Sequence, residues 1–236
     1  MSDSKPQNVL VLGSTGPLGV LIVKELLSRD VQTTVFVRNP SKLPSDIKQN
    51  PKITVIEGTL ESAPTTLHPT LSNYTTIIST LGPVGLQRSK ETPITDFFTV
   101  LLHAISALPT KPRVFHSSTG SVTDPSDKFT FIMWLSVLVI KILAPGARNE
   151  ILSTAKVFVE HGNDIEWTLF RLGVLGDEKE GEVDASGEKK VAYAGYIADG
   201  KWQLTTPRAQ IARWVVKQAT EGKVEWNKKL PALAGI

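Results

Sequence analysis

The chain of 236 residues contains no cysteine. That absence excludes disulfide scaffolds, thiolate metal sites and cysteine nucleophiles. Aromatic residues make up only 7%, and positive charge is barely in excess, with 26 Lys and Arg against 23 Asp and Glu and a formal charge of +3. The basic residues are dispersed, so there is no stripe for a nucleic acid backbone to follow, and a small molecule is the expected partner. The longest apolar run, Phe129 to Ala144, has 16 residues and carries Lys141, short of the ~18 expected of a membrane-spanning helix. The polar start, Met1 to Asn8, lacks the basic-then-apolar order of a secretory signal, and a cytoplasmic location is the expectation. No repeat, low-complexity tract or Gly/Ser linker divides the chain, so residues 1–236 read as one domain. At this length a chain buries roughly 70 to 75% of its unfolded surface and needs no metal or disulfide staple. The four histidines have no ligand spacing, and no metal is expected.

Short β-branched runs alternate with segments of helical period. The runs are Val9–Leu12, Thr33–Val37, Ile53–Ile56, Thr75–Ser79, Arg113–His116 and Trp167–Phe170. Helical spacing appears over Leu18–Arg29, Pro93–Leu108, Asn149–His161 and Pro207–Glu221, with Pro93 and Pro207 where a first helical turn accepts proline. This is the pattern of a doubly wound α/β fold, a parallel sheet covered by helices. The charged, Gly-rich stretch Gly176 to Gly187 breaks it and reads as a solvated loop. Residues 176–205 are expected to form a small, loop-rich substrate-side lobe.

Three glycines at three-residue spacing, Gly13-Ser14-Thr15-Gly16-Pro17-Leu18-Gly19, follow the first strand. A backbone without Cβ atoms can approach a pyrophosphate there, and the helix N-terminus supplies free N–H groups. Pro17 suits the first helical turn because its missing N–H would have been unpaired anyway. About twenty residues on, where an NAD site carries a carboxylate for the ribose hydroxyl, the second strand ends in Arg38, with Ser41 and Lys42 close behind. A guanidinium fork and further donors suit a 2′-phosphate, so NADP(H) is expected over NAD.

These motifs identify the chain as similar to the atypical short-chain dehydrogenase/reductases, the NmrA-like NAD(P)-binding proteins. The likeness runs through Gly13 to Gly19, residues 37–42, Ser79-Thr80-Leu81-Gly82, His116 to Gly120 and Ile165 to Arg171. It implies a Rossmann-like domain with Gly13, Ser14, Thr15, Gly16 and Leu18 near the pyrophosphate. Arg38 would lie near the adenosine phosphate and Thr80, Leu81 and Gly82 along the ribose. Family members carry an aspartate near adenine where this chain has Thr59, between Gly58 and Leu60, so that contact is weakened or replaced.

The catalytic pattern departs further. In active short-chain reductases a serine orients the carbonyl, a tyrosine gives its proton, and a lysine four residues later lowers the tyrosine pKa and holds the nicotinamide ribose. Ser117 and Ser118 match the first, and Lys156 is the candidate for the last, but the residue four before it is Leu152, which has no proton to give. Tyr193 and Tyr196 in the late lobe, Ser118, His116, Lys156 or water are left as donors. Structural roles stay open for each: His116 as a core histidine, the serines as strand-end hydrogen bonders, Lys156 as a solvated cation. Glu160 with Arg171 reads as a structural ion pair.

The run Phe129 to Ala144 could line an apolar pocket, touch a membrane surface, lie in a homodimer interface or sit in the core. The expected activity is NADPH-dependent reduction of a small, largely apolar carbonyl or enone, in the manner of secondary metabolism. A non-redox isomerase, dehydratase or cyclase, and a non-enzymatic NADP(H) redox sensor, are the alternatives.

Overall fold

The computed structural model describes residues 7–85, 89–177, 188–222 and 225–236. In chain order the strands are β1 (Asn8–Leu12), β2 (Gln32–Val37), β3 (Ile53–Glu57), β4 (Thr76–Ser79), β5 (Arg113–Thr119), β6 (Trp167–Leu172), β7 (Val174–Gly176), β8 (Tyr193–Gly195), β9 (Thr205–Pro207) and β10 (Ala232–Ala234). The helices are α1 (Pro17–Ser28), α2 (Ser45–Lys48), α3 (Ala63–Thr66), α4 (Pro93–Ser106), α5 (Phe131–Leu143), α6 (Pro145–His161) and α7 (Arg208–Thr220). Eight strands form one sheet in the order β3-β2-β1-β4-β5-β6-β10-β8. Neighbours are parallel except β8, which runs antiparallel to β10. This is the expected Rossmann-like, doubly wound sheet.

Alternation along the strands sorts the core into two layers. Val9 and Val11 face one side with Ile22 and Leu26 of α1 and Val215 of α7, whereas Leu10 and Leu12 face the other with Phe98 and Leu101 of α4 and Phe158 of α6. The helix after β1 and the helix after β4 therefore leave on opposite faces. α1 stops where Asp30 takes a left-handed φ of 60° and the last carbonyls bond to Arg29, Asp30 and Val31.

Within residues 176–205, expected as a loop-rich substrate-side lobe, the described residues include the short strand β8 and one end each of β7 and β9. β8 completes the far edge of the main sheet, and β7 pairs with β9 in a two-stranded ribbon beside it. Residues 178–187, most of the charged loop, lie outside the described residues.

Two expectations are corrected. No residue of α5 is buried, so the apolar run is not a core helix; Phe131 is 66% exposed and Trp134 50%. Arg171 pairs with Asp127, not with Glu160, which sits across a helical turn from Lys156. From strand β6, Arg171 is fully buried and also donates to the carbonyls of Leu230 and Val122. Asp127 in turn accepts from the Ile197 N–H, so the loop after β5, strand β6 and the chain after β8 are clamped together. Burial alone would raise the Asp127 carboxyl, but the hydrogen bonds, with Arg171 first among them, hold it below its ordinary range. No single helix among the described residues is long and apolar enough to cross a membrane.

Candidate functional site

The strand order reverses between β1 and β4, and ligands of open α/β sheets bind outside the strand ends at such a switch point. A cleft of about 480 Å³ opens there. Its walls are Gly13 to Gly16 after β1, Arg38 after β2, Gly58 to Glu61 after β3, Thr80 to Val84 after β4, Pro93 and Ile94 of α4, and Glu150 of α6.

The three glycines of the first turn have separate reasons. Gly13 has φ of +81°, and a Cβ there would stand 2.7 Å from Thr80 Oγ1. A Cβ on Gly19 would collide with the Gly13 carbonyl, so the fold itself needs both. Gly16 is different, because its Cβ would meet only Gly13 O, at an ordinary 3.5 Å. No protein contact demands glycine at 16; the bare backbone borders the cleft instead. The first turn of α1 has no acidic residue and no side-chain cap, which leaves its N–H groups and positive end for an anion. Ser14 Oγ is buried beside them without a hydrogen-bond partner among the described residues. This donor set fits a pyrophosphate. Pro17 opens α1 and Leu18 packs into the core, and neither lines the cleft.

At the other end, exposed Arg38 faces the loop after β3. Ser41 and Lys42 sit on the short 3-10 turn Pro40–Lys42, outside the cleft wall, with both the N–H and the hydroxyl of Ser41 donating to Asn39 Oδ1. Thr59 and Leu60 do line the cleft. Thr59 holds Glu61, whose carboxyl lies below its ordinary range because of the Thr59 hydroxyl first, its own backbone N–H next, and the charge of Arg38. Sequence reasoning missed Glu61. It is a carboxylate brought beside Arg38 at the cleft wall by the loop after β3.

The chain matches the family described as NAD(P)H-binding over residues 13–222. It belongs to that family. No curated protein matches it in sequence. Among solved structures, the chain is similar to a wide-type short-chain dehydrogenase/reductase from Veillonella parvula DSM 2008 in complex with NADP, at 17% identity and a TM-score of 0.73, covering 97% of this chain and 94% of that one. It is also similar to ChuY, an anaerobilin reductase from Escherichia coli O157:H7, at 13% identity and a TM-score of 0.69, covering 97% of both chains. The oxidoreductase ylbE from Lactococcus lactis follows at 14% identity and a TM-score of 0.67, covering 98% of this chain and 91% of that one. At these identities the likeness is one of fold.

In this NAD(P)H-binding protein the expected catalytic residues are not brought together in the cleft. Ser117 is half-buried on β5, and Ser118 is buried there with no partner for its Oγ among the described residues. Lys156 is 70% exposed, 3.6 Å from Glu160, and lines a separate groove with Arg148 and Leu152. Tyr193 donates to Asp199 at 2.6 Å, which with burial raises its pKa, and Tyr196 packs edge-on against Trp226. Both tyrosines belong to the far edge of the sheet, and neither lines the cleft. The residue of α6 that does reach it is Glu150.

A second cavity, about 260 Å³, opens past the end of β5 between Gly120, Met133 and Trp134 of α5, Ile197, Lys128 and Arg148. Its wall is mostly apolar, which suits a largely apolar ligand. Arg148 borders both this cavity and the groove of Lys156. His116 lines neither cavity: burial against Phe98 and Phe158 lowers its pKa to about 3, and the hydrogen bond to Ser79 offsets only part of that.

Proposed function

We propose that the chain is an NADPH-dependent oxidoreductase acting on a small, largely apolar carbonyl or enone. The observation that carries this reading is the cleft itself, a glycine cradle that ends on Arg38, the one cation among its described lining residues. When bound there, the cofactor supplies a hydride. The chain's own residues hold and shield it. Gly13 to Gly16 and the first turn of α1 take the pyrophosphate, Arg38 the 2′-phosphate, and Thr80 to Gly82 the ribose side. Pro83, Val84 and Ile94 keep water from the wall opposite. The apolar cavity under α5 receives the substrate, with Arg148 and Lys128 at its rim to orient a carbonyl oxygen or a peripheral anionic group. Support also comes from the solved relatives, of which one is in complex with NADP and one is named a reductase.

A second reading, an NADP(H) sensor without turnover, is favoured by one observation: no tyrosine and no lysine stand among the cleft's described lining residues. Titration by cofactor fluorescence tests both. NADPH is expected to bind more tightly than NADH, and Arg38→Ala should weaken NADPH roughly ten- to a hundredfold while leaving NADH nearly unchanged, the loss of a charge-assisted phosphate contact. Equal binding of the two nucleotides by both proteins refutes the NADPH assignment. Oxidation of NADPH by a panel of apolar enones then separates reductase from sensor.

A further inference from the structure

Glu150 is 1% exposed, yet it has no ion pair among the described residues. Its Oε1 accepts from the Thr95 N–H at 2.8 Å and from the Thr95 hydroxyl at 2.9 Å, and Thr95 in turn meets Thr154 Oγ1 at 2.9 Å. Helix α4 has no side-chain cap of its own, so Glu150 caps its first turn from across the groove between helices. That contact uses one carboxylate oxygen. Oε2 makes no hydrogen bond to the described residues, and a carboxylate can accept about four, so this oxygen keeps its capacity for a ligand in the cleft. Glu150 also lines the nucleotide cleft.

Topology says which end of the cleft this is. Arg38 and Glu61 follow β2 and β3 on one side of the switch point, and α6 connects β5 to β6 on the other. With the pyrophosphate on the first turn of α1 and the adenosine toward Arg38, the second half of the dinucleotide falls toward α6. We propose that Glu150 binds the nicotinamide ribose, its Oε2 accepting from the vicinal hydroxyls while Thr95 fixes the carboxylate plane. A diol offers O–H donors to an acceptor-only group, which is the match the site lacks within the protein. This assignment rests on the NAD(P)H reading above and adds the residue that reads the far half of the cofactor.

The test compares two ligands on the full chain. NADPH carries the second ribose, whereas 2′,5′-ADP keeps only the adenosine half. Glu150→Gln retains a carbonyl oxygen for Thr95, and its fold is checked by thermal unfolding. It should weaken NADPH roughly three- to tenfold, as a charged acceptor becomes neutral, and leave 2′,5′-ADP within about twofold. If both ligands weaken alike, or neither changes, the assignment is overturned. If the wild-type protein binds 2′,5′-ADP and NADPH equally well, the second ribose makes no contact and the assignment falls while the cofactor reading stands. If it binds neither, the cofactor reading itself fails and takes this one with it. Should Glu150→Gln fail to fold, Thr95→Val, which removes the hydroxyl bond to Oε1 while the backbone N–H bond and the charge remain, is expected to show a smaller loss in the same NADPH-selective direction; an equal loss on both ligands, or none, refutes it.

Discussion

The buried imidazole of His116 gives the acid side of the stability curve a shape that can be worked out in advance. The ring stacks on Phe158, with centroids 5.6 Å apart, and lies 4.4 Å from Phe98, with Nδ1 3.1 Å from Ser79 Oγ. Burial depresses its pKa from 6.5 to about 3. The unfolded chain therefore takes up the proton first, so the stabilisation is full above pH 6.5 and is lost as the pH falls toward 3. Between those limits the native state holds one proton fewer, worth about 1.4 kcal/mol per pH unit, so pH 5 costs about 2 kcal/mol relative to neutrality. Urea unfolding of wild type and His116→Gln at pH 7, 6 and 5 reads this directly. The variant starts less stable because it loses the ring packing, and only the slope counts. His68, whose pKa is also lowered by burial, titrates in both proteins and cancels. The wild type should lose about 2 kcal/mol more than the variant over that interval at unchanged m-value. Parallel curves would refute the claim that His116 is held neutral.

Other expectations follow from single contacts. Gly16→Ala should leave the unfolding midpoint nearly unchanged, within about 0.5 kcal/mol, but abolish nucleotide binding, whereas Gly19→Ala should damage folding through its collision with the Gly13 carbonyl. Glu61→Gln removes a carboxylate beside Arg38 and should widen the preference for NADPH over NADH, measured as the ratio of dissociation constants; an unchanged ratio would place Glu61 away from the phosphate. Arg171→Met strands Asp127 in a half-buried site and should cost roughly 3–5 kcal/mol in denaturant unfolding. Replacing Phe131, Trp134 and Ile142 of α5 together with serine, residues that are all at least half exposed, should leave global stability within about 1 kcal/mol; a larger loss means that α5 packs on the core.

The sheet was legible because its central strands are written in β-branched runs, and the first turn because Gly13, Gly19 and Pro17 have local steric reasons and Gly16 borders the cleft. The edges were not. Tyr193–Gly195 and Ala232–Ala234 are three-residue strands, too short for a period to show, whose pairing is fixed by what the sheet leaves open. The face that α6 turns to the cleft was equally hidden, since Glu150, Leu152 and Lys156 share one helix and their directions depend on how it crosses α4. Lys156 drew attention as the expected partner of a missing tyrosine, but it points to another groove, and the carboxylate two turns earlier reaches the cofactor side. The same limit applies to Glu61, which meets Arg38 only because β2 and β3 lie side by side.

Helix α5 has a consequence for timing. It forms one wall of the apolar cavity beyond β5 and yet buries none of its residues, while the sheet beneath it is closed on both faces. An element held so lightly opens at a small fraction of the free energy needed to unfold the domain. Its amide protons should exchange long before those of β1 or β4, and the rate at which a bulky molecule reaches the cavity should follow that local opening, independent of how stable the rest of the protein is made.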